Sequence, residues 1–173
     1  MNKSLVITLV GPDQTGLVDA LSAIVTDHNA NWLESRMSSL AGQFAGILHV
    51  SVPEEKLDAL SSAIMKIDGL SVVIESAGEL PVKDSTHKIE IEVVGHDRPG
   101  IVQQVSHTIA TLGINVEELE TELMSAPMSG DILFKATALL GLPADTGTEQ
   151  VYDKLSAIAD DIMVTISEQW SRD

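Results

Sequence analysis

The sequence predicts an α+β protein in which one βαββαβ unit is written twice. Shifting the chain on itself by 84 positions superimposes Gly11 on Gly95, Asp13 on Asp97, Gly16 on Gly100, Leu17-Val18 on Ile101-Val102 and Asn31 on Asn115. A match that runs from a turn through a helix into the next strand is a duplication rather than a chance motif. In both copies the turn sits between an apolar run of strand character and an apolar pattern of helical spacing.

In the first unit, residues 4–10 read as a strand and 15–28 as a helix with Leu17, Val18, Leu21, Ile24 and Val25 at helical spacing. Residues 31–40 read as a second strand, Ala41-Gly42-Gln43 as a hairpin turn, and 44–52 as a third strand. Pro53 followed by Glu54-Glu55 opens a second helix, with Leu57, Leu60, Ile64 and Ile67 on one face. Asp68-Gly69 ends it, ahead of a fourth strand over 70–74.

The second unit repeats the order, with strands near 87–94, 114–124, 131–140 and 162–169 and helices near 99–112 and 147–161. Pro127-Met128-Ser129-Gly130 lengthens its hairpin. The polar, turn-rich stretch 78–86 reads as a linker between domains at 1–77 and 87–173. This order is the ferredoxin-like split βαβ arrangement, with both helices on one face of an antiparallel sheet. Ile89, Ile91 and Val93 face the helices and Glu90 and Glu92 the open side, whereas the first unit places Val6, Thr8 and Val10 on its open side.

Of 173 residues, 10 are Lys or Arg and 26 are Asp or Glu, a formal net charge of -16, and both halves are acidic. That balance opposes direct contact with DNA or RNA, which draws on basic side chains to neutralise phosphate. The absence of cysteine excludes disulfides, thiolate metal sites and thiol nucleophiles. The five histidines show no ligand spacing, so no metal or other cofactor is expected. No apolar stretch has the length of a membrane span or the form of a signal peptide, which predicts a soluble cytoplasmic protein.

The chemistry is expected at the two turns, Gly11-Pro12-Asp13-Gln14-Thr15-Gly16 and Gly95-His96-Asp97-Arg98-Pro99-Gly100. A turn entering a helix leaves the first helical amides unpaired, and with the helix dipole they make a seat for an anion such as a carboxylate. Gly16 and Gly100 leave the backbone open to a ligand. Asp13 and Asp97 suit helix capping, and Pro99 suits the first helical position.

With Asp97-Arg98-Pro99-Gly100-Ile101-Val102 after its first strand and Asn115 opening its second, the chain resembles the ACT-domain family of amino-acid-binding regulatory modules. Two such units with no attached enzyme resemble the glycine cleavage system transcriptional repressor family. The first unit keeps Asp13, Gly16, Leu17, Val18 and Asn31 but has Gln14 and Thr15 in place of Arg and Pro, a departure that weakens its copy.

The resemblance implies a non-catalytic regulator with an amino-acid effector, glycine foremost, held where two domains meet. It implies Gly11, Asp13, Gly16, Leu17 and Asn31 as ligand contacts, and in the second unit Gly95, His96, Asp97, Arg98, Gly100, Ile101 and Asn115. It also implies homo-oligomers and a DNA-binding activator protein as partner. Two alternatives stand beside it. One is an assembly protein without a small ligand. The other is an acylphosphatase-like enzyme, which Arg98 and Asn115 fit but Gln14 and the acidic field oppose.

Overall fold

The computed structural model describes residues 1–77 and 87–169. The linker expected over 78–86 lies outside them. The chain falls into two units, Met1–Pro81 and Val82–Asp173.

The first unit runs β1 (Asn2–Pro12), α1 (Leu17–Asp27), β2 (Asn31–Leu40), β3 (Gln43–Pro53), a 3-10 turn (Glu54–Lys56), α2 (Leu57–Ile64) and β4 (Ser71–Ser76). The second runs β5 (His87–His96), α3 (Ile101–Thr111), β6 (Asn115–Ser125), β7 (Ile132–Leu142), α4 (Thr148–Ser156) and β8 (Met163–Gln169). The sheets have strand orders β2-β3-β1-β4 and β6-β7-β5-β8, every pairing antiparallel, which is the ferredoxin-like arrangement.

Alternation along the central strands builds each core. In the first unit Leu5, Ile7 and Leu9 of β1 are buried with Leu48, Val50 and Val52 of β3, against Leu21 and Val25 of α1 and Leu60 and Ile64 of α2. In the second, Ile89, Ile91 and Val93 pack with Ala136, Ala138 and Leu140 against Val105, Ile109, Val151 and Leu155. The intervening residues form the open faces, and these differ in chemistry. Across the second, Lys135 lies 3.1 Å from Glu92 and 3.8 Å from Glu122. On the first, Val10, Ile47 and Val73 are exposed next to Thr8.

The β2–β3 hairpin closes on two residues, Ala41 (φ 50°) and Gly42 (φ 78°), both in the left-handed region that matches strand twist. The β6–β7 connection is longer, as its sequence predicts, and is pinned by the Ala126 N–H to Asp131 O bond of 2.8 Å.

All four helices are shorter than their apolar periodicity predicts. Gly16 and Gly100 precede α1 and α3 with φ of 91° and 86°. A left-handed residue interrupts helical geometry, so the helices begin at Leu17 and Ile101 rather than at 15 and 99. This corrects two expectations. Neither helix has a side-chain cap, because glycine holds the capping position and Asp13 and Asp97 lie three residues ahead of it. Pro99 stands before the first helical residue, in the turn. Helix α4 stops at Ser156, and 157–162 form a loop with an Ile162 N–H to Ala159 O bond of 3.2 Å.

Candidate functional site

Both turns are shaped by the segment that enters the last strand of their unit. A Cβ on Gly11 would lie 2.2 Å from Gly69 O, and one on Gly95 would lie 3.2 Å from Ile162 Cγ1 and 3.6 Å from Asp161 Oδ2. At Gly11 only glycine fits, because backbone crosses there, whereas at Gly95 the crossing segment is close enough that an added Cβ would press on the Ile162 side chain. Gly16 and Gly100 are glycine for a different reason. Their φ is positive, and an added Cβ would meet nothing within 4 Å. The backbone at these two residues is therefore open to an approaching group.

In the second unit the turn holds a carboxylate, and it is the protein's own. The His96 backbone N–H donates to Asp161 Oδ2 at 2.9 Å, and His96 Nδ1 lies 3.2 Å from the same oxygen. Arg98 Nη1 donates to Asp161 Oδ1 at 3.3 Å, while Arg98 Nη2 donates to Gln104 Oε1 at 3.1 Å. The His96 amide, its ring and the Arg98 guanidinium hold the Asp161 carboxyl below its usual range, against partial burial that acts the other way. Two further amides are engaged as well, Asp97 N–H with Ile132 O at 3.1 Å and Ile101 N–H with Arg98 O at 3.3 Å. The turn thus offers fewer free donors than a bare helix entry.

The first unit differs at each of these positions. Pro12 and Gln14 stand in place of His96 and Arg98, and Gly69 stands in place of Asp161. Gly69 and Asp161 correspond because each lies five residues ahead of an isoleucine, Ile74 or Ile166, that pairs with the middle of the first strand at Ile7 or Ile91. Here Asp13 Oδ2 accepts a 2.6 Å bond from the Ser39 hydroxyl, and the Asp13 N–H donates to Gly42 O at 2.9 Å.

Of the residues the sequence singles out, His96, Asp97, Arg98, Gly100, Asp13 and Gly16 line the exposed or half-exposed turns. Leu17 and Ile101 are core residues, so only their backbone can meet a ligand. Asn31 and Asn115 are exposed but far from the turn of their own unit. Asn115 is level with Lys88, both pairing with Gly141, whereas the turn begins at Gly95. Seven residues of strand separate the two, roughly 23 Å at ~3.3 Å per residue. Asn31 lies likewise at the far end, level with Ser4. No single unit brings the turn and the asparagine together. Asp161, Gln104, Gly69 and Ser39 are absent from the sequence-based site.

A shallow apolar groove of about 20 Å³ lies on the helix side of the second sheet. Val102, Val105 and Ile109 of α3 form one wall, Val116 and Leu119 of β6 the other, and Ala136 and Ala138 line it between them. Among the described residues no group of His, Cys, Asp or Glu could hold a metal ion, and no helix is long and apolar enough to cross a membrane.

The family model described as ACT domain matches residues 3–68, within the first unit. The first unit is an ACT domain. The match falls on the ACT domain whose turn carries Gln14 and Thr15, the copy with the weaker signature. The second unit repeats its topology strand for strand.

An uncharacterised protein from Galdieria sulphuraria of known crystal structure is 30% identical to this ACT-domain chain, with a TM-score of 0.83 over 98% of this chain and 100% of that one. A proposed glycine cleavage system transcriptional repressor shares the tandem fold, with a TM-score of 0.70 over 98% of each chain at 19% identity. Phosphoserine phosphatase SerB2 of Mycobacterium tuberculosis is 31% identical over 125 residues, 66% of this chain. The ACT-domain chain spans 29% of that relative's length.

Proposed function

We propose that this tandem ACT-domain protein is a non-catalytic amino-acid sensor that regulates through protein contact. The observation that carries the reading is the way the second turn holds a carboxylate. A backbone N–H, an imidazole and a guanidinium converge on the Asp161 carboxyl, the functional group every free amino acid presents. The ligand contacts are the turn residues Asp13 and Gly16, and His96, Asp97, Arg98 and Gly100, with the backbone of Leu17 and Ile101, while the buried Gly11 and Gly95 shape the turns from beneath. Asn31 and Asn115 contribute where the turn of one ACT domain meets the strand start of another, within or between chains.

Glycine is the first effector to test, because a proposed glycine cleavage system transcriptional repressor shares the tandem fold. Serine is the second, because the Mycobacterium relative is a phosphoserine phosphatase. The regulated process on this reading is transcription of the glycine cleavage system, in the cytoplasm. With a net charge of -16 the protein acts through a DNA-binding activator rather than on nucleic acid itself.

Thermal unfolding against a panel of free amino acids tests this. A ligand at about 100 times its dissociation constant stabilises by roughly 2.7 kcal/mol. In a chain of this size each kcal/mol raises the midpoint by about 2–4 °C. A shift with one amino acid, reduced in Asp97→Ala or Asn115→Ala, is the expected result. No shift with any of them at millimolar concentration would overturn the sensing role.

One observation favours a second reading, an assembly protein that pairs without a small ligand. The open face of the first sheet exposes Val10, Ile47 and Val73, where the second exposes glutamates. Pairing of that face would make the protein a homo-oligomer.

A further inference from the structure

The two turns are not equivalent, and the difference is a set of three residues that change together. His96, Arg98 and Asp161 of the second unit stand where the first has Pro12, Gln14 and Gly69. Arg98 is therefore more than the restored form of a motif that Gln14 has lost. It is the partner of a carboxylate that the first unit does not possess.

We propose that Asp161 is a built-in occupant of the carboxylate seat in the second turn, so that a ligand carboxylate can bind there only by displacing it. The first turn has no such occupant, and with Pro12 and Gln14 it also lacks the amide, imidazole and guanidinium that hold one. For its biological meaning the inference rests on the amino-acid-sensing reading, but its test does not.

Three features of geometry support the assignment. The Asp161 side chain uses both oxygens, Oδ1 toward Arg98 and Oδ2 toward the His96 N–H, the two-point hold an incoming carboxylate would need. The holding side chains are within reach of solvent, Arg98 at 32% and His96 at 60% side-chain exposure, so a soluble anion can compete for them. Asp161 also sits in the 157–162 loop rather than in a helix or strand, so releasing it breaks no ladder bond.

An acetate titration of 15N-labelled protein, followed at the backbone amides of His96 and Gly16, tests the occupant. In the wild type, acetate at tens of millimolar should leave the His96 amide unmoved. In Asp161→Ala it should shift that amide saturably, with at least tenfold tighter apparent binding, and Arg98→Gln added to Asp161→Ala should abolish the shift. Asp161→Asn preserves shape while removing the charge and guards against a folding defect; it should show the same gain in smaller measure. An unmoved His96 amide in both well-folded variants would overturn the proposal, as would equal acetate shifts in wild type and variants.

Glycine is titrated in parallel. On the proposal it leaves the His96 amide of the wild type unmoved and shifts that amide in Asp161→Ala. Perturbation of the wild-type His96 amide at the glycine concentration that shifts it in Asp161→Ala would count against the occupant. If no amino acid perturbs either turn, the sensing role falls, while the acetate result still decides the occupancy of the seat.

Discussion

Arg98 and Asp161 meet at 3.3 Å across 63 residues of chain, and the same two places in the first unit hold Gln14 and Gly69. In that unit Gln14 Nε2 would lie 3.6 Å from a Cβ on Gly69, so the two positions are neighbours there also, without charge. The duplicated scaffold is preserved while the electrostatics of its turn are not.

Lowering the pH should remove whatever stability the Asp161 contacts provide. The folded carboxyl titrates below its unfolded value, so its contribution is fully present above the unfolded pKa and is lost as pH falls through the folded one. Thermal midpoints of wild type and Asp161→Asn should therefore differ near neutral pH and converge in acid. A difference that persists unchanged to pH 2 would mean that the carboxylate charge is not its source.

The turn glycines should rank by what surrounds them. Gly100→Ala places a residue at φ 86° with open space around it, a cost of about 1–2 kcal/mol for left-handed backbone. Gly11→Ala drives a Cβ to 2.2 Å from a backbone oxygen and should cost more, since the entry to β4 has to move. Urea denaturation of the two variants checks the order. If an amino acid binds along the open backbone, Gly100→Ala or Gly16→Ala should weaken it even where the fold survives.

Each unit depends on its own core. Leu48 of β3 is fully buried among Ile7, Leu9, Leu21 and Leu60, and Leu48→Ala should destabilise the first unit by about 2–5 kcal/mol. Hydrogen exchange should show protection lost in β1 and β3. Equal loss in β5 and β7 would mean that the two units unfold as one.

A basic activator drawn to this chain would be steered by its charge. Its association should slow as salt rises from 50 to 300 mM, with the larger effect on the association rate. A salt-independent rate would leave the apolar face of the first sheet as the better candidate contact. Ile47→Asp would then be expected to abolish pairing while leaving the fold intact, read by sedimentation.

Much of the fold was legible because its signals are local. Ile89, Ile91 and Val93 alternate, Ala41-Gly42-Gln43 marks a hairpin turn, and Gly11 and Gly95 announce the repeat. The helix ends were not, since apolar spacing does not register that Gly16 and Gly100 turn left-handed just before the first helical residue. The acidic partner of the turn was hidden for a similar reason. Asp161 lies where periodicity reads on as helix, and the offset between units grows from 84 at the turns to 92 at the last strand, so no simple shift aligns it with Gly69. The two asparagines were visible as a repeated feature, but their distance from the turns follows only from strand register.

One edge strand of the second sheet, β6, has a consequence for behaviour at high concentration. Strand β6 is exposed along its whole length and carries Glu117, Glu118, Glu120 and Glu122, whereas β2 carries only Glu34 and Arg36. A foreign strand adding beside β6 in register with a copy of itself would stack carboxylate on carboxylate, a repulsion that discourages fibril growth from that margin. The β2 edge of the first sheet has no such fence. If heated or overexpressed protein forms ordered aggregates near neutral pH, they should nucleate on β2 rather than β6, and that preference should fade in acid, where the glutamate fringe loses its charge.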